Sequence, residues 1–182
     1  QFKVIPTSLE IKKQKKKRYI FKKIDIKQAS SLNLKFDFIY CKALEHISNY
    51  EDFFKNVNKC LKSKGYFYIK HRSFFSYLGA HRYASTGIPW GHVLLNEKEY
   101  IKYCRKFHKN RANEMINFYF KGLSYPRFTV SEIIKIANAK NFDLIFISNE
   151  ANKYKNKVFD KIKEKKDFWD VVWKNFPRVS TD

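Results

Sequence analysis

The chain has 182 residues, of which 44% are apolar and 18% aromatic, and a formal net charge of +21 at pH 7. That length and apolar content predict a single folded domain with a sizeable core and argue against intrinsic disorder. No run approaches the roughly 18–20 apolar residues of a membrane span, and "QFKVIPTSLE" does not have the form of a signal peptide.

The first predicted element is a short strand in "FKVIPTSLE", followed by "IKKQKKKR", a lysine run of the kind that solvates a helix face or loop. "YIFKKIDI" reads as a second strand with Asp25 near its end. "KFDFIYCKAL" reads as a third, its buried positions expected at Phe36, Phe38, Ile39 and Tyr40. "NYEDFFKNVNKCLKSKG" has Phe53, Phe54, Val57 and Leu61 at helical spacing, with Asn49 as N-cap and Gly65 as the stop. "YFYIKH" is then a fourth strand. Strand, helix and strand in this order predict an α/β fold with a mostly parallel sheet and crossover helices.

After His71 the periodicity stops. "RSFFSYLGAHRYASTGIPWGHVLL" carries three glycines and a proline and reads as a long functional loop, the start of a loop and helical lid over about 72–120. "NEKEYIKYCRKFHKNRANEMINFYF" is helical and capped by Asn96. A helix beginning at Thr129 precedes a strand at Phe142 to Ser148. The tail holds a lysine-rich helix and then "FWDVVWKNF", whose Trp169, Val172, Trp173 and Phe176 form an apolar face suited to a core.

The segment from Asp25 to Lys70 resembles the class I S-adenosylmethionine-dependent methyltransferases, in their small-molecule branch. An acidic residue closes one strand ("IDI"), "FDFIYC…LEHI" forms the next strand and its exit, and "NKCLKSKGYFYI" supplies a helix end, a turn and a further strand. "GAHRYASTGIPWGHVLL" further resembles a subgroup often encoded among bacterial surface-glycan genes. The resemblance implies a Rossmann-like fold, S-adenosylmethionine as cofactor and a cytoplasmic enzyme. The glycine-rich loop after the family's first strand has no counterpart here, so the sequence is expected to begin near the family's second strand. Either the first strand and helix precede it, or the protein is a degenerate fragment. Without that loop, this 182-residue form is expected to bind the cofactor weakly or not at all.

Carried onto this sequence, the resemblance places Glu10 on the ribose hydroxyls, two residues beyond Ser8 of the simplest alignment. Asp25 would accept a hydrogen bond from the adenine amino group, and Ile26 would pack on the ring. Cys41, Lys42 and Ala43 would line the sulfonium region. Glu45 would neutralise the sulfonium or position the amino acid moiety, and His46 would stack or hydrogen-bond nearby. Methyl transfer to a sugar hydroxyl needs a base, a task suited to His81 or His92. Trp90 would stack on a sugar face and Arg82 would hold an acidic group of the acceptor. The plainer reading of both histidines is that they fix the loop through backbone hydrogen bonds.

The expected activity is methylation, at oxygen, of a small-molecule or glycan-linked acceptor. One alternative is a degenerate module that binds a partner without cofactor. The other is an RNA methyltransferase using the lysine-rich surface. The 38 basic residues comprise 31 lysines and 7 arginines. Nucleic-acid readers lean on arginine for bidentate contacts, so nucleic acid is possible but not favoured as a partner. Cys41, Cys60 and Cys104 lack metal spacing and fit free thiols in a reducing cytoplasm. His71, His81, His92 and His108 show no zinc-ligand spacing, and no metal is expected.

Overall fold

The computed structural model describes residues 24–42, 44–81, 83–123, 127–149 and 153–179. The N-terminal strand, the lysine run and the body of the second strand lie outside these residues, as do Glu10, Ala43 and Arg82. The chain divides into two compact units, Gln1–His71 with Ile134–Asp143 and Arg72–Ile133 with Leu144–Asp182.

The described part of the first unit is built on β1 (Phe36–Lys42), helix α1 (Tyr50–Cys60) and β2 (Leu61–Lys70), with β1 and β2 paired in parallel. Asn49 caps α1, its side chain accepting from the Asp52 N–H at 3.0 Å. Phe53, Phe54, Val57 and Cys60 are buried along one helix face. Phe53 and Phe54 meet Phe67 of β2 at ring separations of 5.9 and 6.1 Å, and Phe142 adds a further edge contact to Phe54 at 5.7 Å. A 3-10 helix, Ile26–Leu32, packs beside α1 with Ala29 buried.

Three expectations need correction. The helix stops at Cys60, not at Gly65, and the chain enters β2 directly at Leu61. The register jumps between the Phe36 and Phe38 pairings, so the residues just after Leu61 bulge from the ladder. Gly65 serves that bulge, because a Cβ there would lie 3.0 Å from the Lys62 carbonyl oxygen and 3.1 Å from that of Phe36. Second, of the apolar residues of β1 only Ile39 is buried, whereas Phe38 and Tyr40 are exposed. The period of two sends them to the sheet face away from α1. Third, residues 142–149 form no strand. A strand exists through a neighbour's hydrogen bonds, and Leu144 to Ile147 pair with no strand among the described residues; they stand 54–77% exposed.

The second unit is helical: α2 (Gly91–Leu94), α3 (Glu97–His108), α4 (Ala112–Asn117), α6 (Lys153–Ile162) and α7 (Lys166–Asn175), while α5 (Val130–Asn138) spans the boundary between the units. Asn96 and Glu99 form a capping box at α3, and Thr129 and Glu132 exchange the same bonds at α5. The core gathers Phe74, Trp90, Val93, Tyr100, Cys104, Met115, Tyr119 and Val172. Trp169 and Phe176 of the tail pack against it, whereas Trp173 stacks on Trp169 and stays 40% exposed. No helix among the described residues is long and apolar enough to cross a membrane.

Candidate functional site

The chain leaves β1 at Lys42 and passes into a 3-10 turn, Leu44–His46, anchored by Leu44, which is wholly buried. Tyr50 fixes this turn by donating its hydroxyl to the Leu44 carbonyl at 3.1 Å. The turn brings Glu45 to His71, the residue immediately after β2, with the Glu45 Oε2 to His71 Nδ1 distance at 3.4 Å. Both side chains are largely enclosed, 12% and 13% exposed. Burial raises the Glu45 pKa, but hydrogen bonding by His71 and the backbone and the charges of His71 and His46 outweigh it, leaving the carboxyl below its ordinary value. A carboxylate is thus held ionised at the carboxyl ends of two adjacent parallel strands, where open α/β sheets place their ligands.

Cys41 lies beside this pair. Burial first, and the Glu45 charge second, push its thiol up to about 11, so it stays protonated at neutral pH. Lys42 and His46 are exposed. Asp25 is exposed at the start of the 3-10 helix, its carbonyl accepting from the Gln28 N–H at 2.9 Å, and Ile26 is half-buried. His71 was not among the cofactor residues expected from the sequence. The usable signal was positional: it leaves β2 as Glu45 leaves β1.

The loop of the second unit is packed from within. His92 is 1% exposed, and its Nε2 lies 2.6 Å from the Phe74 carbonyl oxygen, which makes Nε2 the protonated nitrogen. Its Nδ1 is buried with no hydrogen-bond partner among the described residues. Burial above all lowers its pKa to about 4, with nearby Arg127 adding to the shift and the Phe74 bond opposing it. Gly79 makes room for the ring: its φ is +76°, and a Cβ there would lie 3.0 Å from the imidazole. Trp90 is 7% exposed, donates its indole N–H to Phe75 O at 3.1 Å and packs against Tyr77, Phe159 and Phe168. Neither His92 nor Trp90 presents a surface to a sugar in this structure.

His81 is partly exposed. Its ring lies against Tyr83 and Phe118, and its Nδ1 accepts from the Tyr83 N–H at 3.3 Å, which favours a proton on Nε2. Arg127 went unnoticed in the sequence, where a lone "PRF" carries no periodic signal. It is buried with its guanidinium between the rings of Phe74 and Tyr119, 4.1 and 4.0 Å from their centroids. No group of three or more metal-ligating side chains is gathered among the described residues.

A parallel strand–helix–strand unit with a largely enclosed polar pair at the strand exits is the local arrangement of open α/β proteins, whose ligands lie at the sheet's carboxyl edge. The family model described as "Methyltransferase domain" matches residues 3–69, a little over a third of the chain. No curated protein and no solved structure matches the chain. The donor set suits a cationic cofactor: an ionised Glu45 carboxylate, a protonated thiol at Cys41, and a buried His71 Nε2 with no hydrogen-bond partner among the described residues.

Proposed function

We propose that the protein transfers a methyl group from S-adenosylmethionine to an oxygen of a small-molecule or glycan-linked acceptor. The observation that carries this reading is the ionised, enclosed Glu45 carboxylate at the strand exits, which lies inside the segment matched by the methyltransferase family, with His71 beside it just beyond that segment's end. When bound, the cofactor supplies an electrophilic methyl group on a positively charged sulfur.

Glu45 provides negative charge for that cation, and His71 fixes the orientation of the carboxylate. Cys41 offers a small apolar wall; because its thiol stays protonated, it does not compete with the acceptor as a nucleophile. Asp25 and Ile26 are assigned to the adenine, Lys42 and His46 to the rim of the cofactor site. Of the two loop histidines, only His81 keeps exposed ring surface, and the proposal retains it as the base. Accepting a proton at Nε2 then requires the neutral ring to give up the Tyr83 contact at Nδ1.

The test is transfer of a labelled methyl group to a panel of sugars and glycan fragments. With an acceptor in hand, His81→Ala is expected to lower kcat by about 10²- to 10⁴-fold while cofactor affinity stays unchanged. Full turnover in that variant makes His81 a loop strut. Absence of transfer to any acceptor, with no cofactor bound even when the family's glycine-rich loop is supplied, favours the cofactor-free module.

A further inference from the structure

β1 and β2 run in parallel to a last pairing of Lys42 with Lys70, so the turn after β1 and the residue after β2 come to one place. There the His71 Nδ1 lies 3.4 Å from the Glu45 Oε2, within ion-pair reach, and both side chains are largely enclosed. The His71 Nε2 is buried as well. Salt screens a pair held in this way only weakly, so the charge on the ring governs how much negative charge Glu45 presents to a ligand. A neutral ring can donate its Nδ1–H to the carboxylate and leave it a full negative charge. A protonated ring cancels that charge.

We propose that His71 is a positioning residue that couples cofactor capture to pH: S-adenosylmethionine takes the Glu45 charge only from a neutral His71, so binding displaces one proton from the imidazole to solvent. Because it takes the ligand to be a sulfonium cation, this rests on the methyltransferase reading. Histidine is the side chain whose charge changes in the physiological range. Above the range in which His71 titrates, the ring is neutral and affinity is at its highest. As pH falls through that range the ring gains a proton and affinity falls, by at most about tenfold per pH unit for a single proton. The groups around the pair give a different signal. Burial and the Glu45 charge push the Cys41 thiol up to about 11, outside this range. Lys70 and Arg72, on either side of His71 in the chain, are exposed. His46 also acts on the Glu45 carboxylate, but it is exposed and more open to screening, which makes it the control. The α-amino group of the cofactor titrates too, and does so equally for every variant.

Two measurements test the coupling. In the 182-residue chain the His71 imidazole is followed by NMR, its signal identified by its loss in His71→Gln. Glu45→Gln should move that titration to a pH about one lower, because it removes the charge that favours the protonated ring. The second measurement uses a form extended at its N-terminus by a strand and glycine-rich loop of the family's type. Calorimetric titration of S-adenosylmethionine from about pH 5 to 8, in buffers of different ionisation enthalpy, should show affinity falling on acidification and a proton released on binding. His71→Gln keeps an N–H donor for Glu45 but cannot titrate. It should bind within about threefold of the parent at the alkaline end and lose the pH dependence, whereas His46→Gln should keep it. A His71 titration indifferent to Glu45→Gln overturns the proposal. So does a pH dependence that survives His71→Gln, or one that disappears in His46→Gln. Failure to bind at any pH, with the glycine loop supplied, is a distinct result: it defeats the methyltransferase reading, and the coupling with it.

Discussion

Acidification should destabilise the second unit through His92 before most carboxylates titrate. The unfolded chain takes up this proton near pH 6.5, whereas the folded chain does so only near 4. The folded ring already commits Nε2 to Phe74, and protonation would place a second N–H, on Nδ1, in the core without an acceptor. The stabilising contribution is therefore fully present above pH 6.5 and is lost as pH falls through the window from 6.5 to 4. Linkage over these two values gives a loss of about 2 kcal/mol between pH 7.5 and 5. Denaturant unfolding followed by tryptophan fluorescence reads this selectively, since Trp90, Trp169 and Trp173 all belong to the second unit. His92→Gln removes the titration and should flatten that part of the pH profile, even if it lowers stability at every pH. Parallel profiles for the two proteins would refute the assignment of the pH dependence to His92.

Phe54→Ala should cost about 3–5 kcal/mol in the first unit, because Phe54 is 0% exposed among Phe53, Phe67 and Phe142; thermal unfolding followed by far-UV dichroism checks it. Asn96→Ala should cost about 1 kcal/mol by removing one arm of the α3 capping box, read as a shift in the denaturant midpoint of the second unit. Gly79→Ala should cost more than about 1 kcal/mol, combining a left-handed backbone with a Cβ set against the His92 ring, and its midpoint should fall further than that of Asn96→Ala.

Local signals were the most legible in the sequence. The caps at Asn49 and Asn96, the helix start at Thr129, the helical apolar spacing at Phe53, Phe54 and Val57, and the order of β1, α1 and β2 follow from side-chain chemistry within a few residues. What depends on distant partners was not legible. Phe38 and Tyr40 read as core because apolar character does not say whether a layer covers a sheet face. Residues 142–148 read as a strand because propensity does not supply a partner edge. The Glu45 half of the candidate site stood out as a polar interruption at a strand exit. Its His71 half appears only once the parallel pairing brings the two exits together. In the loop, Trp90 and His92 look like chemistry in the sequence because their types are rare and clustered. Their packing shows that the same residue types also build a tight, glycine-dependent fold.

Calorimetric titration of S-adenosylmethionine tests the central claim most directly. It should be made into the 182-residue chain and into a form extended at its N-terminus by a strand and glycine-rich loop of the family's type, each with and without Glu45→Gln. Weak or no binding is expected in the shorter form, because the glycine loop has no counterpart in it. Saturable binding is expected where that loop is supplied, with affinity falling about tenfold when the Glu45 charge is removed. Binding indifferent to Glu45→Gln would contradict the placement of the cofactor at the strand exits. Absence of binding even with a glycine loop present would contradict the methyltransferase reading itself.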